Sequence, residues 1–149
     1  MGSRSQAGSR SLGQKPSDAV TDLLLDTSPV IDLQRRDSAT QAFLDNARSV
    51  GIRLWGTPVL LAEYYSGVLL GEGPRIDQFL ASLHYFPITN AIGLHAAAYR
   101  YEFRRRGIQL QTADTLVAAC ARSIGADLLT GNLKDFPMTD IRVVAIPKF

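Results

Sequence analysis

The run Leu23-Leu24-Leu25-Asp26 constrains this chain more than any other stretch. Three consecutive apolar residues without polar alternation predict a short strand covered on both faces, as strands inside parallel sheets are. The strand ends on a carboxylate. Ser28 and Pro29 follow as a helix-start signal, because a serine oxygen can accept an orphan amide hydrogen bond and proline's missing N–H costs nothing at the first helical position. Asp26 therefore falls at the carboxyl end of a central strand. In open α/β sheets that edge is where ligands bind.

The rest of the chain repeats the alternation. Ala39, Phe43, Leu44 and Ala47 recur at helical spacing, and Gly51 stands where that helix stops. Residues 52 to 55 read as a second strand, and Gly56-Thr57-Pro58 opens a helix expected from Val59 to about Leu70. Gly71 to Pro74 interrupts it. A further helix begins near Arg75, carries Ile76, Phe79, Leu80 and Leu83, and is closed by Pro87. Residues 91 to 106 and 112 to 124 are helical runs stopped by Gly107 and Gly125; residues 127 to 130 and 141 to 146 supply third and fourth strands. Strands alternating with helices, joined by connections too long for hairpins, predict an α/β fold. Its expected core is a mainly parallel central sheet of about four or five strands flanked by helices.

At 149 residues the chain suits one domain, placed at residues 21–149. Residues 1–20 form a polar, Gly/Ser-rich tail, read as native disorder or in part an expression remnant. Arg4, Arg10 and Lys15 against Asp18 account for the whole net charge of +2, so overall basicity says little about nucleic acid. No apolar run approaches the roughly 20 residues of a membrane span, and the N-terminus has no apolar secretory core. A cytoplasmic protein is the expectation. The single Cys120 lies among alanines in a helical pattern and reads as a buried, inert thiol. His84 and His95 lack partners at ligand spacing and read as structural. Lys134 and Asp140 read as solvated surface.

Several acids resist so plain a reading. Glu63 is the only charge in the apolar run from Val59 to Leu70, and a carboxylate buried alone is costly unless it protonates or finds a partner; the alternative is a narrow exposed stripe. Asp114 opens the helix at Thr112, where an acid also suits the helix dipole. Thr130, Asn132 and Asp135 cluster after the third strand, where turn chemistry is the competing explanation. Two carboxylates about 4 Å apart repel by roughly 4 kcal/mol at an effective dielectric near 20. Three or four sharing one pocket need a counter-charge, and an all-oxygen set without a His or Cys cluster favours Mg²⁺ or Mn²⁺ over zinc.

Asp26-Thr27-Ser28 after an apolar strand, Glu63 within a helix, the run from Thr112 and Asp114 through Cys120 and Ala121, and Thr130-Gly131-Asn132-Leu133-Lys134-Asp135-Phe136 together resemble the PIN-domain ribonucleases, specifically the VapC-type toxins of bacterial toxin–antitoxin pairs. The resemblance runs from about residue 22 to the C-terminus. It implies an endoribonuclease whose acidic cluster holds Mg²⁺ or Mn²⁺ and hydrolyses RNA phosphodiesters by acidifying a water and neutralising phosphate charge. Carried over by position, Asp26, Glu63, Asp114 and Asp135 are the metal-binding and catalytic acids, with Asp127 competing for the fourth place. Thr27 or Ser28 orients Asp26 or substrate, and Thr130 and Asn132 shape the site. The resemblance also implies a homodimer and a cognate antitoxin, for which the apolar residues of 59–70 and 76–83 offer a docking surface.

Arg104 and Arg105, in the run Arg100-Tyr101-Glu102-Phe103-Arg104-Arg105-Arg106, mix cations with aromatics as RNA-binding faces do; a solvated helix end with arginine stems on apolar surface is the alternative. Two other functions remain open: a PIN fold that binds RNA or protein without cutting, and a receiver-like signalling domain with Asp26 as phosphoacceptor. The second leaves Glu63 without a role.

Overall fold

The computed structural model describes residues 21–146; the polar tail lies outside the described residues. Among the described residues the strands are β1 (Asp22–Leu25), β2 (Arg53–Gly56), β3 (His84–Tyr85), β4 (Asp127–Thr130) and β5 (Val143–Ala145). They form one sheet in the order β3-β2-β1-β4-β5, and every pair is parallel. The helices are α1 (Thr27–Gln34), α2 (Ser38–Ser49), α3 (Pro58–Tyr64), α4 (Pro74–Ala81), α5 (Asn90–Arg104) and α6 (Thr112–Ile124). None of them is long and apolar enough to cross a membrane.

Why β1 sits at the centre follows from its side chains. All four residues are buried, and successive leucines face opposite layers. Leu23 and Leu25 join Val30, Leu44, Leu60, Ile76 and Leu80 in a core beneath α1 to α4. Leu24 joins Ile92, Phe103, Val117 and Ala118 in a second core beneath α5 and α6. Small residues let α6 pack closely: Ala118 to Ala121 are wholly buried, Cys120 among them. Burial pushes the Cys120 thiol up to about 11, the inert state expected. Gly125 stops α6 in the left-handed region at φ 77°, a conformation that glycine adopts without a side-chain clash.

The order of strands places the site. From β1 the chain moves outward to β2 and β3, then returns to lay β4 on the other side of β1. That reversal leaves a crevice at the carboxyl ends of β1 and β4, the position at which open parallel sheets bind ligands.

Three expectations change. The helix expected to run to Leu70 ends at Tyr64, where Ser66 Oγ donates to the Glu63 carbonyl at 2.7 Å, leaving Leu69 and Leu70 exposed. The helix expected to reach Pro87 ends at Ala81 and is followed by the two-residue β3. The apolar excess in 76–83 is largely consumed by the protein's own core, since Ile76, Leu80 and Leu83 are buried.

The amino ends of the strands are tied by charge. Asp22, 7% exposed, accepts hydrogen bonds from Arg53 Nε at 2.8 Å, Arg53 Nη2 at 3.0 Å, Trp55 Nε1 at 2.7 Å and Thr21 Oγ1 at 3.1 Å. Burial, the largest single influence, pushes its carboxyl upward, but the Arg53, Trp55 and Thr21 bonds together hold it below the ordinary 3.8. Asp22→Ala strands the Trp55 N–H and should lower stability by roughly 1.5–3 kcal/mol at pH 7, read from the urea midpoint. Because the folded-state value is depressed, this contribution is present above the unfolded value and is lost as pH falls through the folded one. The gap between wild type and variant should therefore close as pH drops below about 3.8, and a gap independent of pH would disprove the ionic part of the account.

Candidate active site

Asp26 directly follows β1, and its backbone N–H still donates to the Leu129 carbonyl of β4 at 3.0 Å, so the ladder carries the residue to the lip of the sheet. Its side chain is 7% exposed. Oδ2 accepts a 2.8 Å hydrogen bond from Thr130 Oγ1, the last residue of β4, in a fully buried contact between residues 104 apart in sequence. Thr130 Oγ1 in turn accepts the Asn132 backbone N–H at 3.0 Å, shaping the turn into a short 3-10 segment, Leu133–Asp135. One hydroxyl thus fixes both the Asp26 carboxylate and the loop that carries Asp135.

The start of α1 differs from the sequence expectation. Asp26 is the N-cap residue and Thr27 the first helical residue, so Ser28 lies inside the first turn. Ser28 Oγ accepts the Gly131 N–H at 2.7 Å, bolting α1 to the turn after β4. A β-carbon at Gly131 would stand 3.4 Å from Ser28 Oγ. The Thr27 amide hydrogen-bonds the Asp26 carboxylate, and its hydroxyl makes a contact the sequence did not suggest, donating to Glu63 Oε1 at 2.5 Å across 36 residues.

Glu63, in the second turn of α3, is exposed. Of the two readings open from sequence, a buried acid with a partner or one on a narrow exposed stripe, the structure has the exposed one, and Thr27 supplies a partner as well. Asp114 lies in the first turn of α6 and Asp135 on the 3-10 segment, each partly buried. Because α6 runs back toward the amino end of β4, its own N-terminus stands at the carboxyl edge of the sheet, beside the crevice.

The four carboxylates act on one another. Asp114 is pushed up to about 6, first by burial and then by the negative charges of Asp26, Asp135 and Glu63. Asp26 is also raised: burial is the largest cause, the Thr130 hydroxyl and the Thr27 amide oppose it, and Glu63 and Asp135 add to it. Asp127, the competing acid, stands at the other end of β4, three residues and about 10 Å from Thr130, and pairs with Arg142 Nε at 3.2 Å.

This set is tested readily as a metal centre. It offers carboxylate oxygens only, it lies at the binding edge of the sheet, and the charges shifting Asp114 are all negative, so it suits a hard divalent cation. Among the described residues no group of three or more His, Cys, Asp or Glu side chains is spaced to hold a metal ion, so the fit lies in the donor chemistry of the four acids and not in their present spacing.

The residues match the PIN domain model from 23 to 140. The chain belongs to the PIN-domain family. Ribonuclease VapC19 of Mycobacterium tuberculosis is 30% identical over 117 residues, covering 77% of this chain and 92% of the relative. The DNA-bound VapBC structure from Salmonella typhimurium aligns with a TM-score of 0.71 at 20% identity, over 86% of this chain and 100% of its counterpart. VapBC2 from Rickettsia felis, bound to a promoter DNA fragment, aligns at 0.70 and 18% identity over 83% and 98%.

The other predicted residues of this PIN domain fall as follows. Arg104 ends α5 and Arg105 caps it, both exposed; Arg105 lies 3.9 Å from Glu102 and 5.8 Å from the Tyr101 ring centroid. Residues 105–111 lead directly into α6, and Arg100 Nε donates to the Leu110 carbonyl at 3.2 Å, so this basic ridge stands at the same end of the helix pair as Asp114. His84 stacks on Trp55 at 5.3 Å, and His95 Nε2 is 3.3 Å from Arg122. Asp140 is exposed, as expected, and also has partners: it accepts from Tyr99 Oη at 2.8 Å and pairs with Arg122 at 3.2 Å, both on helices distant in sequence. The Asp22 cluster was not visible from sequence either, since Arg53 and Trp55 reach it across more than 30 residues.

Since Asp114 has a folded-state value above the ordinary 3.8, the folded protein binds its proton more tightly than the unfolded chain does. Its favourable contribution is complete below about 3.8 and is lost as pH rises through about 6. With EDTA present, Asp114→Asn should melt above wild type at pH 8, and the difference should vanish toward pH 4. A variant less stable than wild type at pH 8 would contradict the repulsive site described.

Proposed function

We propose that this protein is a metal-dependent endoribonuclease and the toxin of a bacterial toxin–antitoxin pair, acting in the cytoplasm. The observation that carries the proposal is the mutual electrostatic action of Asp26, Glu63, Asp114 and Asp135 at the crevice between β1 and β4. The likeness to Ribonuclease VapC19 supports the reaction class, and the likeness to VapBC assemblies supports a cognate antitoxin partner; a homodimeric toxin is part of the same reading.

In this reading the four acids hold Mg²⁺ or Mn²⁺. The chemistry supplied by such an ion, when bound, is the acidification of water and the neutralisation of charge building on a phosphate. Asp26 arrives oriented, since Thr130 fixes one of its oxygens before anything binds. Asp114, raised toward neutrality, gains most from a counter-charge. Asp135 is favoured over Asp127 for the fourth position because Asp127 is turned to Arg142 at the opposite edge. Thr27, Ser28, Thr130 and Asn132 frame the floor on which an RNA phosphate sits, and Arg104 and Arg105 pair with phosphates further along the strand.

Asp26→Asn and Asp135→Asn should each cut RNA cleavage at least about 100-fold, equivalent to about 2.7 kcal/mol of barrier, with circular dichroism unchanged, whereas Asp127→Asn should cleave as wild type does. Cleavage by Asp26→Asn at the wild-type rate would overturn the site. Mn²⁺ at about 100 times its dissociation constant should add roughly 2.7 kcal/mol of stability to the wild type, read as a rise in melting temperature that Asp114→Asn diminishes. A melting curve indifferent to saturating Mn²⁺ would refute the shared metal site.

A further inference from the structure

We infer that Thr27 is a positioning residue for Glu63: its hydroxyl clamps an otherwise free carboxylate into the acidic crevice, and this clamp, more than any contact with substrate, is what the residue contributes. The inference rests on the metal-site reading above and assigns Thr27 a role distinct from framing substrate.

The argument begins with what Glu63 lacks. Asp26 is buried and held by Thr130, and Asp114 and Asp135 are partly buried on a packed helix and a 3-10 turn. Glu63 is exposed, on a seven-residue helix that ends one residue later. A glutamate side chain in water has three rotatable bonds, and fixing a long side chain costs up to roughly 2 kcal/mol of rotamer entropy. Left to itself, Glu63 would spend much of its time pointing away from the other acids.

Thr27 removes that freedom from the neighbouring element. Its Oγ1 donates to Glu63 Oε1 at 2.5 Å, within the range of a hydrogen bond to a charged oxygen, and this leaves Oε2 for a ligand. The donor is itself well placed. Thr27 is the first residue of α1, immediately after Asp26, and its backbone amide acts on the Asp26 carboxylate. A single residue therefore addresses two acids that lie on different elements. Threonine suits the task because branching at Cβ restricts χ1. Beneath it, Val30 of α1 packs in the same core as Leu60 and Tyr64 of α3, so donor and acceptor ride on helices that share one foundation. Glu63 acts in turn on both Asp26 and Asp114 through its charge, which places the clamped carboxylate within reach of the other acids.

The test measures Mn²⁺ affinity by titration calorimetry on the full chain, with melting in EDTA recorded for each variant. Thr27→Val keeps the shape and loses the hydroxyl; it should weaken Mn²⁺ binding roughly 10–100-fold, the range seen when groups that orient metal ligands are removed, with the metal-free melting temperature unchanged. Thr27→Ser should restore binding to within about threefold of wild type. Thr27→Ala, which also lacks the hydroxyl, must show the same loss, so that a packing fault in the valine variant cannot decide the matter. Adding Thr27→Val to Glu63→Gln should produce no further loss, since the clamp then has no carboxylate to hold. Wild-type affinity in both Thr27→Val and Thr27→Ala overturns the role of Thr27 while leaving the metal site standing. Failure of the wild type itself to bind Mn²⁺ overturns the metal site, and the clamp with it.

Discussion

The buried hydrogen bond from Thr130 to Asp26 is the contact on which the working end of this molecule depends. It joins the carboxyl ends of β1 and β4, strands adjacent in the sheet but about a hundred residues apart in the chain. The chain between them supplies the β2–β3 wing and all six helices. Once closed, the bond holds a carboxylate that burial disfavours, and the same threonine oxygen receives the amide of Asn132 and sets the turn toward Asp135. Ser28 adds a second bolt between α1 and that turn. The crevice is thus tied together both through the strands and, at Ser28, through the first turn of α1.

Acids stand at both ends of the two central strands, and their surroundings differ completely. At the amino ends, Asp22 is met by Arg53 and Trp55, and Asp127 by Arg142. At the carboxyl ends, the charges acting on Asp114 are carboxylates alone. Asp22 opens β1 and Asp26 directly follows it, so the two acids share a side chain and a strand; what separates a cation-paired acid from one among other carboxylates is the partner each finds across the sheet. A protein that matched cations to every acid would be more stable and would have no site. The repulsion stored at one edge is tolerated because the other edge and two apolar cores hold the sheet together, as functional sites commonly trade stability for chemistry.

Much of this was legible in the sequence wherever the signal was local. The leucine run of β1, the small-residue helix α6 with its terminating Gly125, and the strand at 127–130 each announce themselves within a dozen residues, and together they dictate a parallel sheet. The four acids were legible as candidates because each sits at a strand end or in a helix that must reach the same edge. Illegible features were those set by distant partners. β3 is two residues long and exists only because Trp55 and Gly56 offer it a ladder. α3 stops at Tyr64 although apolar residues continue, because Ser66 turns back on the Glu63 carbonyl and Asp77 gathers Tyr65 Oη at 2.6 Å and the Gly71 amide at 2.9 Å into a loop. Periodicity alone carries no trace of that competition.

The early end of α3 bears directly on chemistry. The helix ends one residue beyond Glu63 and leaves that side chain exposed to water, where only a neighbouring element can hold it in place. The solvent side of an acidic crevice needs such a group, since a fully buried ring of carboxylates would have no open position for a phosphate. The structure reconciles these demands by leaving Glu63 exposed on its own helix and fixing it from the next, so that the most accessible acid of the site is ordered by a residue belonging to the least accessible one's neighbourhood. The basic ridge at the end of α5 lies at the same edge. Cations on the helix pair and carboxylates at the strand ends thus stand at one end of the fold, the opposite charges separated by element and not interleaved.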